Sequence, residues 1–267
     1  MSLSVREREQ ARTVALAAAR AAGESLLGTL GRLDPARIGT KSAARDLVTE
    51  ADVASERILV EALRRAFPGH AIEAEEEVKD ADDGRPRWFL DPLDGTVNYV
   101  HRLPFFAVSM GLLVEGVPEV AVVHAPALGE TFHAVREGGA FLGAERLAVR
   151  PTRTLGEAIL ATGFPYRRAE LRPNNLENFS ALFLECRDLR RFGSAALDLA
   201  YVAAGRLDAY WELWLAPHDV AAGALLVREA GGLVTDLDGG ERWLRGGHIL
   251  AAGAALHALL RPRLVHG

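Results

Sequence analysis

The 267-residue chain contains 31 Lys and Arg against 36 Asp and Glu, which gives a formal net charge of −5, and 49% of its residues are hydrophobic. This length and composition predict a globular protein with one large domain, or two tightly joined ones, around a sizeable core. The charge balance argues against the broad basic surface of a protein that binds nucleic acid or an anionic membrane. An anionic ligand would therefore be held locally, by backbone dipoles, a few basic side chains or a metal ion.

The first 30 residues are rich in alanine, and charges are scattered through their apolar part. They predict an amphipathic helix and lack the features of a signal peptide or a membrane span. The single cysteine, Cys186, cannot form an intramolecular disulfide, and we expect a buried thiol without a catalytic role. Both features favour a cytoplasmic location.

The next part of the chain changes from helical to β-rich patterns. A second helical pattern covers residues 46–67 and stops at a Pro-Gly pair, so two long helices are expected side by side. Residues 88–91 then predict a short strand. Between residues 106 and 149, short β-rich runs separated by glycine and proline turns predict an antiparallel meander.

From about residue 155, strand patterns alternate with helical patterns up to a final helix. A β-rich part followed by an α/β part predicts a layered α/β (α+β) fold with mixed and antiparallel sheets. We expect residues 1–150 and 151–267 to form two halves of one compact unit, with a cleft between them.

The stretch FLDPLDGTVNY places Asp91 and Asp94 on a stiff corner, because Pro92 fixes its own φ and restricts the residue before it. Two carboxylates held together there repel each other unless a cation lies between them. Hard oxygen ligands suit Mg²⁺ or Mn²⁺, and the backbone carbonyl of Leu93 is a further ligand of this type. The glycine and threonine that follow would begin a helix whose N–H groups can bind an anion such as phosphate. A turn capped by an aspartate is the alternative.

Three further acidic patterns occur along the chain. Residues 73–78 hold four acids in five residues, which on their own suggest a solvated charge run. Asp219 lies at the start of a strongly patterned helix, where a role as helix cap would explain it. Residues 49–52 match a capping box, which would explain Asp52. Each pattern has a structural explanation of its own, but their order along the chain resembles a known family.

Residues 41–253 resemble the inositol monophosphatase family, the Mg²⁺-dependent, lithium-sensitive sugar-phosphate phosphatases. The first family signature resembles residues 88–112, WFLDPLDGTVNYVHRLPFFAVSMGL, and the second resembles residues 208–232, DAYWELWLAPHDVAAGALLVREAGG. DLVTEAD and AEEE lie upstream of both. The stretch from ILATGFPY to GRLDAYWE is most similar to the bacterial extragenic-suppressor branch. The resemblance implies a layered αβαβα sandwich and a homodimer.

The resemblance also implies two to three Mg²⁺ ions per site, or Mn²⁺ in their place. The implied ligands are Glu75, Asp91 and the Leu93 carbonyl for the first ion, and Asp91, Asp94 and Asp219 for the second. A third, weaker ion would lie near Glu75, with Glu76 in a supporting position. The N-terminal half would thus carry the metal and phosphate site, and the C-terminal half would complete it.

The remaining roles follow from the same resemblance. Asp52 and Thr96 would orient and deprotonate the attacking water. The N–H groups of Gly95 and Thr96 would receive phosphate oxygens, and Glu212 would bind substrate hydroxyls. The polyol would lie along four consecutive residues, Gly193, Ser194, Ala195 and Ala196.

The implied reaction is hydrolysis of myo-inositol monophosphate, or a similar polyol or sugar phosphate, to the free alcohol and inorganic phosphate by metal-activated water. The same chemistry would serve fructose 1,6-bisphosphate, histidinol phosphate or a phosphoadenosine nucleotide. An alternative of another class is a regulatory protein that binds the transcription machinery. Arg187, Arg190 and Arg191 form the candidate surface for that role, and a dimer contact is the plainer explanation of this basic loop.

Three positions depart from the family pattern, which usually has glycine in place of Ala74 and Trp214 and tryptophan in place of His218. We expect Trp214 to reshape the polyol end of the site. His218 should hydrogen-bond the neighbouring carboxylate or a water on the ion. His101 and the other histidines show no metal-ligand spacing and are expected to be structural or exposed. Lys41 would lie near the entrance of the site, or be solvated.

Overall fold

The computed structural model describes residues 3–34, 36 and 38–265. Its first elements are α1 (Val5–Thr29), the two-residue strands β1 (Gly39–Thr40) and β2 (Leu47–Val48), and α2 (Glu50–Ala66). Both helices begin with a capping box, and they pack side by side as predicted. No described helix combines the length and the hydrophobicity needed to cross a bilayer.

Seven strands of the described chain form a large sheet, in the order β3-β4-β5-β6-β7-β8-β9. They are β3 (Ala71–Ala74), β4 (Arg87–Asp94), β5 (Ala107–Val114), β6 (Val117–Ala125), β7 (Glu130–Val135), β8 (Gly139–Leu142) and β9 (Glu145–Arg146). β3 pairs with β4 in parallel, and each later pair is antiparallel, so the predicted meander is confirmed. The short helix α3 (Thr96–Val100) follows β4 directly.

Five strands of the described chain form a small mixed sheet, in the order β11-β10-β12-β14-β13. They are β10 (Ile159–Thr162), β11 (Asp188–Arg190), β12 (Ala209–Leu213), β13 (Leu233–Thr235) and β14 (His248–Ala252). The helices of this region are α4 (Leu176–Phe183), α5 (Ala195–Ala203), α6 (Pro217–Glu229) and α7 (Ala254–Leu260). The predicted alternation of strands and helices is confirmed.

Successive strand residues face different helix layers, as the two-residue period of a strand requires. In β6, Val122 packs against α1 and α2, whereas Ala121 packs against α5 and α6. In β12, Tyr210 faces α5 and α6, whereas Trp211 faces α4 and α7. Helices α5 and α6 therefore lie between the two sheets, and the predicted αβαβα sandwich is confirmed.

The strand at the paired aspartates is longer than predicted. β4 continues past residue 91 through Pro92 and ends at Asp94, and its pairing with β5 is irregular between Asp91 and Asp94. Proline has no N–H to donate to a neighbouring strand, so an irregularity at this point is expected. Both carboxylates therefore lie within the buried end of the strand, and not on a corner beyond it as predicted.

Two further predictions need correction. Asp219 is the third residue of α6 and not its cap, because Pro217 occupies the first helical position and Ala216 precedes it. Cys186 is partly exposed, beside the core between α4, α7 and the small sheet, and was predicted to be buried. Burial of the thiol nevertheless raises its pKa.

Helices α5 and α6 approach each other closely where Gly223 meets Leu199. A Cβ atom added at Gly223 would lie 2.5 Å from the Leu199 Cβ, closer than real side chains pack. Gly28, in α1, is also helical, but nothing lies within 4 Å of the same position there. The two glycines therefore separate the effect of helix propensity from that of close packing.

We predict that Gly223→Ala lowers the free energy of unfolding by about 1–3 kcal/mol, because the added methyl must displace Leu199. Gly28→Ala is the matched control, and it should stabilise the protein by up to about 1 kcal/mol, since alanine is the better helix former. Urea unfolding of both variants measures the difference. Equal effects at the two positions would contradict the close packing of α5 on α6.

Candidate active site

The end of β4 turns tightly into α3 and buries its polar groups against one another. Asp91 is 2% exposed, and its Oδ1 accepts a hydrogen bond from the Leu93 amide at 3.0 Å. Gly95 has φ +94°, a region that favours glycine, and precedes the first residue of α3, Thr96. The Thr96 hydroxyl lies 3.1 Å from the Leu93 carbonyl oxygen. The prediction that a helix begins directly after the paired aspartates is confirmed.

Asp52, which is fully buried, uses its two carboxylate oxygens differently. Oδ2 accepts hydrogen bonds from the Thr49 amide at 2.9 Å and from the Thr49 hydroxyl at 2.6 Å, which completes the predicted capping box. Oδ1 accepts a hydrogen bond from the Thr96 hydroxyl at 3.1 Å. Burial, opposed by the hydrogen bonds from Thr49, raises the pKa of Asp52. The structure therefore places Asp52 both at the start of α2 and against Thr96.

Asp94 and Asp219 lie at the N-termini of the two central helices. Asp94 Oδ2 accepts hydrogen bonds from the Ser194 hydroxyl at 2.6 Å and from the Ala196 amide, in the first turn of α5, at 2.7 Å. Asp219 Oδ2 accepts one from the Ala216 amide at 2.6 Å. Amides in the first turn of a helix carry a partial positive charge. The fold thus brings the positive ends of α2, α5 and α6 to buried carboxylates.

The acidic run at residues 73–78 is not the solvated run that its composition alone suggests. Glu56 of α2 accepts hydrogen bonds from three successive amides of this run, at 2.8, 2.9 and 2.9 Å. Lys41 Nζ donates to Glu75 Oε1 at 2.8 Å and pairs with Glu76. Lys41 is therefore an ion-paired residue at the acidic cluster, and the alternative of a solvated lysine is wrong.

Burial and the neighbouring charges shift the pKa values of Lys41 and Glu76 in opposite directions. Burial disfavours the charge on Lys41, but the charge of Glu75 and the hydrogen bonds to both glutamates raise the pKa of the lysine. Burial raises the pKa of Glu76 to about 7, although the hydrogen bond from Lys41 opposes this shift.

A cavity of about 300 Å³ opens between these elements. The predicted site residues in its lining are Glu75, Asp94, Gly193, Ser194, Ala195, Glu212 and Asp219. The predicted site residues outside its lining are Asp52, Glu76, Asp91, Leu93, Gly95, Thr96 and Ala196. The Ala196 amide is occupied by Asp94, so this residue holds a carboxylate of the cavity wall.

Glu212 is half-buried in a part of the lining that other polar residues share. The Tyr210 hydroxyl donates a hydrogen bond to it, and burial raises the pKa of Glu212 to about 7. A Cβ atom at Gly163 would lie 2.1 Å from Glu212 Oε2, so only glycine leaves room for this carboxylate. Asp198 of α5, 2% exposed, also lines the cavity, and its Oδ1 has no hydrogen-bond partner among the described residues. Helical patterning alone had assigned no role to Asp198.

Trp214, which follows the last residue of β12, lines the cavity and hydrogen-bonds the loop that contains Pro173. Its φ is +66°, in the region that glycine adopts without strain, which accounts for glycine as the usual family residue at this position. Its indole Nε1 donates to the Pro173 carbonyl at 2.8 Å. The place of Trp214 in the lining agrees with the expected location, and its effect on specificity stays a prediction.

The three arginines of the predicted basic surface have different surroundings. Arg191 lines the cavity. Arg190 pairs with Asp188 at 2.5 Å, and Arg187 is exposed. Sequence proximity suggests one surface, but Arg191 lines the cavity whereas Arg187 lies outside that lining.

One group of three side chains in the described chain has the spacing of metal ligands. Glu75, Asp91 and His218 each offer one ligand atom, and these atoms lie within 4.8 Å of one another. The histidines show no metal-ligand spacing along the sequence, but in the structure His218 lies in this group. The three residues come from distant parts of the chain, so local spacing could not reveal the group. Burial lowers the pKa of His218, which favours the neutral imidazole.

The electrostatics of the carboxylates fit a bound cation. Burial, followed by the charges of Glu75 and Asp94, raises the pKa of Asp91 well above its ordinary value. Burial also raises the pKa of Asp94 and of Asp219 to about 7. Such acids are fully ionised at neutral pH only if positive charge offsets their burial and repulsion. A set of carboxylate oxygens is also the donor set that Mg²⁺ and Mn²⁺ prefer.

We predict that the protein in excess chelator loses stability as the pH rises from about 5 to 8. The raised pKa values mean that the folded state binds more protons than the unfolded chain between about pH 4 and 7, so unfolding becomes more favourable across this interval. The melting temperature should fall by at least about 5 °C, since 1 kcal/mol shifts a chain of this size by roughly 2–4 °C. Mg²⁺ should restore it at pH 8. A melting temperature that rises with pH in chelator would contradict this assignment.

Comparisons with known proteins agree with this architecture. The sequence model of the inositol monophosphatase family matches residues 7–266. The Nus factor SuhB of Pseudomonas aeruginosa is 45% identical over 262 residues, which cover 94% of this chain and 96% of that relative.

Solved structures give the same result. The inositol monophosphatase from Anabaena (Nostoc) sp. PCC 7120 has a TM-score of 0.87 and 41% identity, covering 96% of this chain and 95% of that one. The extragenic suppressor protein suhB from Bartonella henselae also has a TM-score of 0.87, with 39% identity over 96% of this chain and 98% of its own. These similarities span nearly the whole of each protein, and the chain belongs to the inositol monophosphatase family.

Proposed function

We propose that this protein is a Mg²⁺-dependent phosphomonoesterase that hydrolyses myo-inositol monophosphate, or a similar polyol or sugar phosphate, to the alcohol and inorganic phosphate. The observation that carries the proposal is a single cavity lined by Glu75, Asp94 and Asp219 together with Glu212. The first three supply oxygen ligands for cations, and Glu212 supplies a hydrogen-bond acceptor for a hydroxyl. These residues come from both predicted halves, which we propose act as one catalytic unit.

Two or three Mg²⁺ ions, or Mn²⁺, would be held by the chain's oxygen atoms. The proposed ligands are Glu75, Asp91 and the Leu93 carbonyl for one ion, and Asp91, Asp94 and Asp219 for the next. When bound, such ions make water more acidic and neutralise charge on the phosphoryl and leaving groups. The hydrogen bonds that Asp94 and Asp219 accept from helix N-termini hold these carboxylates in orientation. The pair of Lys41 with Glu76 supports Glu75 and the proposed third ion.

Asp52 and Thr96 are proposed to activate the attacking water. The proton of the water passes to Asp52, directly or through the Thr96 hydroxyl, which lies 3.1 Å from Asp52 Oδ1. The raised pKa of Asp52 makes it a stronger base than an exposed aspartate. Its second oxygen is held by Thr49, so the base cannot rotate away from Thr96 without breaking the helix cap.

The substrate is proposed to lie between the start of α3 and β12. The amides of Gly95 and Thr96 would receive phosphate oxygens, and Glu212 would accept a hydrogen bond from a ring hydroxyl. Ser194 and Ala195, beside Gly193, would line the polyol. Trp214 and Asp198 lie in the same lining and are the residues through which this chain would distinguish one polyol from another. Fructose 1,6-bisphosphate, histidinol phosphate and a phosphoadenosine nucleotide are the competing substrates.

A second candidate function is a regulatory one. The name Nus factor SuhB of the Pseudomonas aeruginosa relative favours binding to the transcription machinery. Arg187 is exposed and lies outside the lining of the cavity, so it is available to such a partner. A variant that lacks hydrolysis but keeps partner binding would separate this function from catalysis.

We also propose a cytoplasmic homodimer. Leu176, Phe183 and Leu184, in and after α4, are 58%, 58% and 86% exposed. Apolar side chains this exposed and this close along the chain are typical of a surface that another chain covers. The proposal is tested by the molecular mass in solution.

We predict that purified protein hydrolyses polyol phosphates only with Mg²⁺ or Mn²⁺, and that Asp91→Asn lowers kcat by at least about 10³-fold, because the loss of this ligand removes several kcal/mol of transition-state stabilisation. A panel of inositol, fructose, histidinol and nucleotide phosphates, assayed with and without chelator, measures both effects. Asp82→Asn, on an exposed residue outside the cavity lining, is the control. Full activity in chelator, or in Asp91→Asn, would refute the proposed mechanism.

We further predict opposite outcomes for the two threonines that contact Asp52. Thr96→Val should lower kcat by about 10²–10⁴-fold, because it removes the hydroxyl from the path of the proton, and should lower the free energy of unfolding by about 1–3 kcal/mol, since buried acceptors lose their donor. Thr49→Ala removes the cap hydroxyl instead, so it should lower the free energy of unfolding by about 1 kcal/mol and largely keep kcat. Steady-state kinetics and thermal unfolding are measured for both. If Thr96→Val keeps kcat, the Thr96 hydroxyl has no part in the path of the proton to Asp52.

A further inference from the structure

His218 occupies a position that the acidic residues of the site do not explain. It is the second residue of α6, directly before Asp219, and its side chain is 15% exposed. Its Nε2 lies 3.7 Å from Asp219 Oδ1, which is beyond hydrogen-bond distance. Within the described residues, neither ring nitrogen forms a hydrogen bond. A largely buried imidazole therefore lines the cavity without a partner that would fix its orientation.

The potential metal ligands that lie close to the His218 imidazole are the carboxylates of Glu75 and Asp91. One ligand atom from each of the three residues falls within a span of 4.8 Å. Two ligands of one small divalent ion, each about 2.1 Å from it, lie at most about 4.2 Å apart. Adjacent ligands of an octahedral ion lie about 3.0 Å apart, so the three atoms must approach one another by at most about 2 Å, which side-chain rotation can supply.

A second observation also requires positive charge at this point. Asp91 is 2% exposed, and its carboxyl group lies within hydrogen-bonding reach of the Glu75 carboxyl group. Two carboxylates in contact in a buried place need a cation or a proton between them. Lys41 contacts Glu75 and Glu76, and no described contact joins it to Asp91. Among the described residues, the positive charge of Lys41 is thus paired with the two glutamates and not with Asp91.

We propose that His218 is a direct nitrogen ligand of the ion held by Glu75 and Asp91, and that this ion site prefers Mn²⁺ to Mg²⁺. An imidazole nitrogen suits transition-metal ions such as Zn²⁺, Fe²⁺ and Ni²⁺ best; of the two candidate ions here, the transition metal Mn²⁺ accepts it more readily than Mg²⁺, which prefers oxygen atoms. The inference rests on the proposed metal-dependent function and adds a ligand to it. It replaces the expectation that His218 only hydrogen-bonds a neighbouring carboxylate or a water.

The test uses the full chain, stripped with chelator and then titrated with Mn²⁺ or Mg²⁺. Pulsed electron paramagnetic resonance of bound Mn²⁺ detects a directly bound histidine nitrogen and does not depend on enzyme activity. His218→Gln keeps a polar side chain but removes the imidazole. His101→Gln is the matched control, because His101 is exposed and lies outside the three-residue group.

The wild type and His101→Gln should show nitrogen coupling to Mn²⁺, and His218→Gln should lose it. The Mn²⁺ affinity of His218→Gln should fall about tenfold or more, with a smaller change for Mg²⁺. Wild-type protein labelled with ¹⁵N-histidine should show the coupling of that isotope, which tests the ligand even if His218→Gln fails to fold. Bound Mn²⁺ without nitrogen coupling in the wild type, or with coupling that persists in His218→Gln, would overturn the inference and leave the proposed function intact. Failure of the wild type to bind either ion would overturn both.

Discussion

Mutual repulsion among buried carboxylates is the constraint on which the rest of this structure depends. Asp52, Asp91 and Asp94 are at most 7% exposed, and Glu75 and Asp219 line the same cavity. A fold driven only by stability would not gather so many acids away from water. The energy of this arrangement must therefore be offset by protonation or by positive charge, and part of that charge is built into the chain.

The sandwich provides the built-in part through the directions of its helices. The N-termini of α2, α5 and α6 reach the end of β4, and their first amides donate hydrogen bonds to Asp94 and Asp219 or are capped by Asp52. Lys41 adds one full charge at Glu75. Since α5 and α6 lie between the two sheets, their N-termini bring polar groups from the second half of the chain to a strand of the first. The layered architecture and the location of the site thus have a common cause.

Local patterns in the sequence were sufficient for features that depend on neighbouring residues. The capping box at Thr49, the meander and the start of α3 follow from spacing and turn chemistry. The surroundings of Lys41, Asp198 and His218 could not be predicted in this way, because each lies beside residues from remote elements. The predicted strand was shorter than β4 because a proline usually ends a strand. Here the neighbouring strand accommodates Pro92 through an irregular register, which the sequence does not reveal. Family resemblance named the acids, but three-dimensional contacts were needed to see what stabilises them.

The position of Asp219 also depends on the close contact between α6 and the large sheet, away from the cavity. A Cβ atom at Gly111, in the middle of β5, would lie 2.8 Å from the Ala221 Cβ and 2.9 Å from the Ala222 backbone nitrogen. Backbone cannot yield as a side-chain tip can, so any larger residue at Gly111 must push α6, and Asp219 with it, away from β4. Substitutions of core glycines are therefore expected to disturb the site in the same way as substitutions of the acids themselves. Small residues deep in the core, with no chemistry of their own, thus set the distance between α6 and the large sheet, and with it the position of Asp219 relative to β4.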